Sequence, residues 1–102
     1  FCRLLELGLR PVIGTDGGFG QTYFEEAWRE LALLKERCGL SGPEVIRAAT
    51  VSGAEALGID SFVGKLKAGY ECDLITVREN PLKQIRAFRQ VTHVMQGGKV
   101  IF

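Results

Sequence analysis

The stretch from Pro11 to Gly20, PVIGTDGGFG, sets one carboxylate, Asp16, at the end of an apolar run and among four glycines. A carboxylate in that place can ligate a metal or take a proton from a reacting water. It can equally cap the following turn through its own side chain, and the stretch by itself leaves both roles open. Nucleotide chemistry is not among its options. The dinucleotide fingerprint needs glycines at the first, third and sixth places. Counted from Gly14 the third place is Asp16, and counted from Gly18 the sixth is Tyr23. No Gly-Lys-Ser/Thr follows, and an acid at this point would repel phosphate.

The flanking sequence says what must hold Asp16 in place. FCRLLELG spaces Phe1, Leu4, Leu5 and Gly8 as the last turns of a helix, with Gly8 suited to end it. LRPVIG then reads as a short apolar strand, with Pro11 tolerable only at its start or on an edge. Such a strand wants neighbours on both sides and cover on both faces. From Tyr23 to Cys38 the pattern turns helical: Phe24, Ala27, Trp28, Leu31, Leu34 and Cys38 form one apolar stripe, with acids early and bases late. Ser41 with Glu44, and Ser52 with Glu55, each predict a capping box opening a shorter helix, the second ending at Gly58. Pro43 sits in a first turn, where its missing N–H costs little.

Beyond Gly58 the sequence changes to β patterning. VGKLKAG and CDLITV read as strands split by Gly69, and QVTHVM-GG-KVIF reads as a hairpin with a two-glycine turn. The order is therefore helix tail, strand, Gly-rich turn, three helices, then β-strands, the closing portion of an alternating α/β pattern. A break near Gly58 divides residues 1–58 from residues 59–102.

Composition narrows the function classes. A formal charge of +1 gives no general attraction to nucleic acid or to an acidic membrane surface. No apolar stretch approaches the roughly 20 residues that span a bilayer. FCRLLELG carries one basic residue and no apolar leader core, and a start on Phe rather than Met leads us to expect a segment of something longer. Three cysteines, Cys2, Cys38 and Cys72, are an odd number at wide spacings, which predicts free thiols in a reducing cytoplasm. Lys83, Arg86 and Arg89 recur every third residue, as on the solvated face of a helical turn.

Five segments in this order, VIGTDGG, SGPEVIRAATVSGAEALG, VGKLKAGYECDLITV, NPL and VTHVMQGGKVIF, resemble the C-terminal part of the metal-dependent amidohydrolases. The likeness is closest to the branch that contains imidazolonepropionase and prolidase-like enzymes. It implies an α/β fold in which residues 1–58 close a (β/α)₈ TIM barrel and residues 59–102 belong to a small composite β-sandwich. Pro11 to Thr15 would be the eighth barrel strand. The family's functional carboxylate falls on Asp16, implying contact with a divalent metal, zinc, and a proton shuttle between the attacking water and the leaving group. Thr15 would support the strand end. Phe19, Gln21 and Tyr23, in the loop that follows, are candidates to line the pocket for a small-molecule or short-peptide substrate.

The family's other metal ligands, a His-x-His pair, a mid-barrel lysine or acid and two further histidines, do not occur in this sequence. Its only histidine, His93, falls in the sandwich part and reads as structural, as does Asp73 at a strand entry. Where the family often places alanine the chain has Cys72, read as a small residue packed on the sheet. One carboxylate does not hold zinc, which takes three or four protein ligands. The expectation is a hydrolase segment that is inactive by itself, self-associates through uncovered apolar surface, and binds neither nucleic acid nor membrane. The alternative is a truncated or degenerate module that acts through oligomerisation or protein interaction, without catalysis.

Overall fold

A computed structural model describes residues 2–18 and 23–102. Helix α1 (Cys2–Glu6) buries none of its side chains. It ends where Gly8 and Leu9 donate to the carbonyls of Leu5 and Leu4. The predicted helix from Tyr23 is divided: a 3₁₀ turn at Phe24–Glu26 precedes α2 (Trp28–Cys38). The predicted stripe is nonetheless the packing face of α2, with Leu31 and Leu34 buried and Trp28 packed beside them. Lys35 and Arg37 lie in its last turn, where cations suit the helix dipole.

Helix α3 (Gly42–Ala49) opens with the expected capping box. The Ser41 side chain accepts from the Glu44 N–H, and the Glu44 carboxylate accepts from Ser41. Those hydrogen bonds hold the Glu44 carboxyl below the usual carboxylate value. A lowered carboxyl favours the folded state above its ordinary titration range, and the cap weakens as pH falls through the folded value. The second predicted box does not form. Helix α4 (Val51–Leu57) starts two residues earlier than a Ser52 cap would set it, Ser52 is buried inside it, and its N-cap Thr50 makes no capping bond. Glu55 turns instead to Arg47 of α3, at 2.9 Å, and the Thr50 hydroxyl donates to the Ile46 carbonyl. The chain reverses direction there as α3 ends, so the polar groups of that junction are used across it.

The core forms where Leu31, Ala32 and Leu34 of α2 meet Val45 and Ala48 of α3, with Ile85 inserted from the C-terminal half. Ile85 belongs to a 3₁₀ helix, Ile85–Arg89, that packs on α2. The basic residues near it are not simply solvated. Arg86 donates twice to the Glu36 carboxylate, at 3.0 and 3.2 Å, and the Arg89 guanidinium lies 5.8 Å from the Trp28 ring centroid. Exposed ion pairs of this kind contribute about 0–1 kcal/mol each, so they align the segment more than they hold it. What admits Ile85 is a close backbone approach. A Cβ on Gly42 would sit 2.7 Å from the Leu82 carbonyl oxygen, a distance that backbone atoms cannot relieve.

Two predicted strands are absent. Pro11 to Gly14 is extended but lies in no sheet; its described backbone bond is Ile13 N–H to the Ala48 carbonyl, 3.4 Å. A strand needs a partner ladder, and no other strand lies beside it among the described residues. VGKLKAG forms turns, because Gly64 is pressed against α4: a Cβ there would meet that of Ala54 at 2.9 Å. The sheet itself is antiparallel, in the order β1 (Leu74–Val77), β2 (Val91–Gln96), β3 (Lys99–Val100). Gly97 and Gly98, at φ 53° and 78°, make the predicted tight hairpin turn. Asp73 fixes the entry to β1 by accepting from Gly97 N–H at 2.7 Å. Cys72 lies against the sheet as expected but is not buried there. It is exposed, with its sulfur 3.2 Å from that of Met95.

The thiol expectation is corrected as well. Cys2 and Cys38 form a disulfide, with Cα atoms 5.1 Å apart, and Cys72 alone is free. Wide spacing in sequence hid the pair because α1 and the end of α2 lie side by side in space. Among the described residues no helix is long and apolar enough to cross a membrane.

Gly42→Ala should destabilise the fold by about 1–3 kcal/mol, the usual cost of forcing extra volume into a filled space. Chemical denaturation measures it, and a stability unchanged by Ala would show that the contact with Leu82 is relaxed.

Candidate functional site

Asp16 stands at the end of an extended segment whose burial alternates strictly. Pro11, Ile13 and Thr15 are half-buried, while Val12, Gly14 and Asp16 are exposed. That period of two is strand patterning without a hydrogen-bonded neighbour. Three contacts position the segment. At its start Arg10 pairs with Glu55 at 3.8 Å, and the same carboxylate holds Arg47. In its middle Ile13 bonds the last turn of α3 and packs against the core. At its end the Thr15 hydroxyl accepts from the Gly17 N–H at 3.2 Å, closing a tight turn around Asp16. Thr15 thus supports the segment end, as its place in the sequence suggests.

The Asp16 backbone itself is unusual. Its φ is +50°, and it is the one non-glycine residue with positive φ among those described. A left-handed conformation costs an ordinary L-residue about 1–2 kcal/mol, less for Asp and Asn, whose short polar side chains tolerate it. Strain of this sort persists where surrounding structure imposes it, and it concentrates at functional positions. Here Gly17 and Gly18 follow directly, so the chain turns sharply and leaves the carboxylate exposed at the segment tip. The turn's own hydrogen bond comes from Thr15, and among the described residues no partner engages the Asp16 carboxylate.

The other candidates divide. Phe19 and Gln21 lie outside the described residues. Tyr23 is exposed and precedes the 3₁₀ turn that leads into α2. His93 is remote in the sheet. It is exposed on β2, with its Nδ1 3.1 Å from the Thr76 hydroxyl. No group of three His, Cys, Asp or Glu side chains that could hold a metal exists among the described residues. The residues present do not fit a metal centre, since Asp16 offers one carboxylate where three or four ligands are needed. An open cleft of about 610 Å³ lies elsewhere, between α1, Leu9 to Pro11 and the end of α2, and does not include Asp16. Sequence reasoning placed Asp16 at a segment end but did not see its left-handed backbone. The signal available was the Asp-Gly-Gly run, which favours positive φ.

Comparison with known proteins gives this geometry a setting. The profile of the Amidohydrolase family matches residues 2–101. Ochratoxinase from Aspergillus niger is 36% identical over 100 residues, covering 94% of this chain and 20% of its own length. An imidazolonepropionase from Kosmotoga olearia is 26% identical, covering 98% of this chain and 25% of its own. Among solved structures, a candidate prolidase from Bifidobacterium longum superposes with a TM-score of 0.92 at 35% identity, over 98% of this chain and 25% of that one. A Xaa-Pro dipeptidase with methionine bound in its active site gives 0.89 at 28% identity, over 97% of this chain and 24% of that one. The 102 residues thus carry the fold of these α/β proteins over a fifth to a quarter of their length.

Because the Asp16 backbone is left-handed, its substitutions should rank by backbone tolerance. Asp16→Asn should be neutral in stability and Asp16→Gly neutral or stabilising, whereas Asp16→Val should lose about 1–2 kcal/mol. Equal stabilities for all three in thermal unfolding would contradict that geometry.

Proposed function

The chain belongs to the amidohydrolase family, and from that premise we propose that it supplies the Asp16 end of a catalytic unit that hydrolyses an amide, cyclic amide or peptide-like C–N bond. The observation that carries this reading is the exposed carboxylate held at the tip of an extended segment by a positive-φ turn, inside a match that runs nearly the whole length of the chain. Relatives named for imidazolonepropionate chemistry, ochratoxin and Xaa-Pro dipeptides support a small-molecule or short-peptide substrate. Residues 1–58 then close a (β/α)₈ barrel and residues 59–102 contribute to a small β-sandwich. The segment from Pro11 to Thr15 is the last barrel strand, its hydrogen-bonding neighbours coming from outside these residues. Tyr23, with Phe19 and Gln21, would edge the substrate pocket.

Asp16 is the proton carrier in this reading. Its carboxylate takes a proton from the attacking water as the C–O bond forms. It returns that proton to the departing nitrogen as the C–N bond breaks, so the leaving group departs as a neutral amine. A divalent metal, zinc, belongs to the whole catalytic unit, and the ligands that hold it lie beyond this chain. The 102 residues alone are therefore inactive. A cytoplasmic setting belongs to the same reading, although the paired Cys2 and Cys38 remove the free-thiol ground on which it was first expected.

A second reading, a non-catalytic module working through association, draws on the apolar surface. Leu7, Leu9, Leu66 and Phe102 are 70%, 58%, 87% and 70% exposed. Exposed apolar groups of this density favour contact with further protein. Both readings expect the free 102-residue chain to self-associate. Light scattering should show a mass above that of the monomer, rising with concentration, and a monomer at high concentration would contradict this.

The catalytic reading is tested in the native-length protein. Asp16→Asn should preserve folding and lower kcat by about 10²- to 10⁴-fold, the usual worth of a positioned acid–base group. Hydrolysis at the unsubstituted rate would remove Asp16 from the mechanism.

A further inference from the structure

Helix α1 is held to the rest of the protein in an unusual way. Its five residues bury no side chain, and its internal ion pair, Arg3 to Glu6 at 3.8 Å, is exposed on both sides. The covalent tie is the bond from Cys2, in its first turn, to Cys38, the last residue of α2. The two elements joined are the helix before the Asp16 segment and the helix after it. The bond therefore closes a ring across a sequence separation of 36 residues with Asp16 inside. It also borders solvent. Cys2 and Cys38 are half-buried and line the open cleft of about 610 Å³, together with Glu6, Arg10 and Arg37.

We propose that Cys2 and Cys38 are a redox-operated staple: oxidised, they pin α1 to the end of α2 and constrain the segment that carries Asp16; reduced, they release α1. The oxidant is a low-molecular-weight disulfide such as oxidised glutathione, and the cleft gives it access. One cysteine thiolate attacks a sulfur of that disulfide, breaking its S–S bond, forming a mixed disulfide and expelling one thiolate. The second cysteine thiolate then attacks the protein sulfur of the mixed disulfide and expels the other. Two electrons pass from the cysteine pair to the oxidant, and the two protons lost by the cysteines end on the released thiols. Reduced glutathione runs the exchange backwards. In a reducing compartment a disulfide of this kind is transient and sensing in character, not a permanent brace.

The test uses the native-length protein equilibrated in oxidised or in reduced glutathione buffer, alkylated with iodoacetamide and digested without reductant. In the oxidised buffer the peptide holding Cys2 should be found joined to the one holding Cys38. In the reduced buffer both should appear separately alkylated. Hydrogen exchange on the same samples should show amides of α1 exchanging about tenfold faster after reduction, with those of α3 unchanged. Cys2→Ser should give the reduced-state exchange pattern in both buffers, and Cys72→Ser should change nothing. If Cys2→Ser does not fold, the two buffers on the unsubstituted protein still decide. Alkylation of both cysteines in the oxidised buffer, a linkage through Cys72, or exchange in α1 identical in the two buffers would each overturn the proposal.

Discussion

Between Gly42 and the Leu82 carbonyl there is no room for a side chain, and much of the arrangement follows from that approach. It lets the chain beyond Leu82 drop onto α2 and α3, so that Ile85 enters the core beside Val45, a side chain with no exposed surface. Residues far apart in sequence thus share one apolar centre. The close approach also fixes α3, whose last turn meets Ile13, and Ile13 carries the segment that ends at Asp16. The carboxylate is positioned from below by this packing and from the side by the Thr15 turn. No contact in that series is strong by itself. The buried apolar surfaces stabilise, and the polar groups around them set direction.

The site shows the complementary principle. The turn at Asp16 is closed by the Thr15 hydroxyl, which accepts from the Gly17 N–H. Aspartate tolerates the left-handed region better than most residues, and the two glycines that follow let the chain turn there. The chain spans a fifth to a quarter of the length of the relatives it matches, and it exposes several large apolar side chains to solvent.

Local signals were legible in the sequence, and spatial ones were not. The Ser41 capping box, the apolar stripe of α2, the two-glycine hairpin and the role of Asp73 all depend on residues close together in the chain, or on one repeat of helix or strand. The Ser52 box failed because Glu55 found Arg47 across a helix junction, a tertiary choice that outweighed a local one. VGKLKAG has strand composition, but Gly64 is needed against α4 and bends it into turns. The Cys2–Cys38 pair and the engagement of Arg86 and Arg89 with α2 join residues 36 or more positions apart, beyond the reach of periodicity. Asp16 stands out in the sequence by its place at a segment end and by the family resemblance. Its left-handed backbone required coordinates.

The central claim is that Asp16 belongs to a hydrolytic centre whose remaining groups lie outside these 102 residues. The most direct measurement is the metal content of the purified 102-residue chain after exposure to zinc and desalting, with hydrolysis of amide substrates assayed on the same sample. The account predicts no stoichiometric zinc and no turnover. One zinc bound per chain, or hydrolysis by the chain alone, would mean that its own side chains assemble a centre, and the role of Asp16 as a proton carrier for an outside centre would be contradicted.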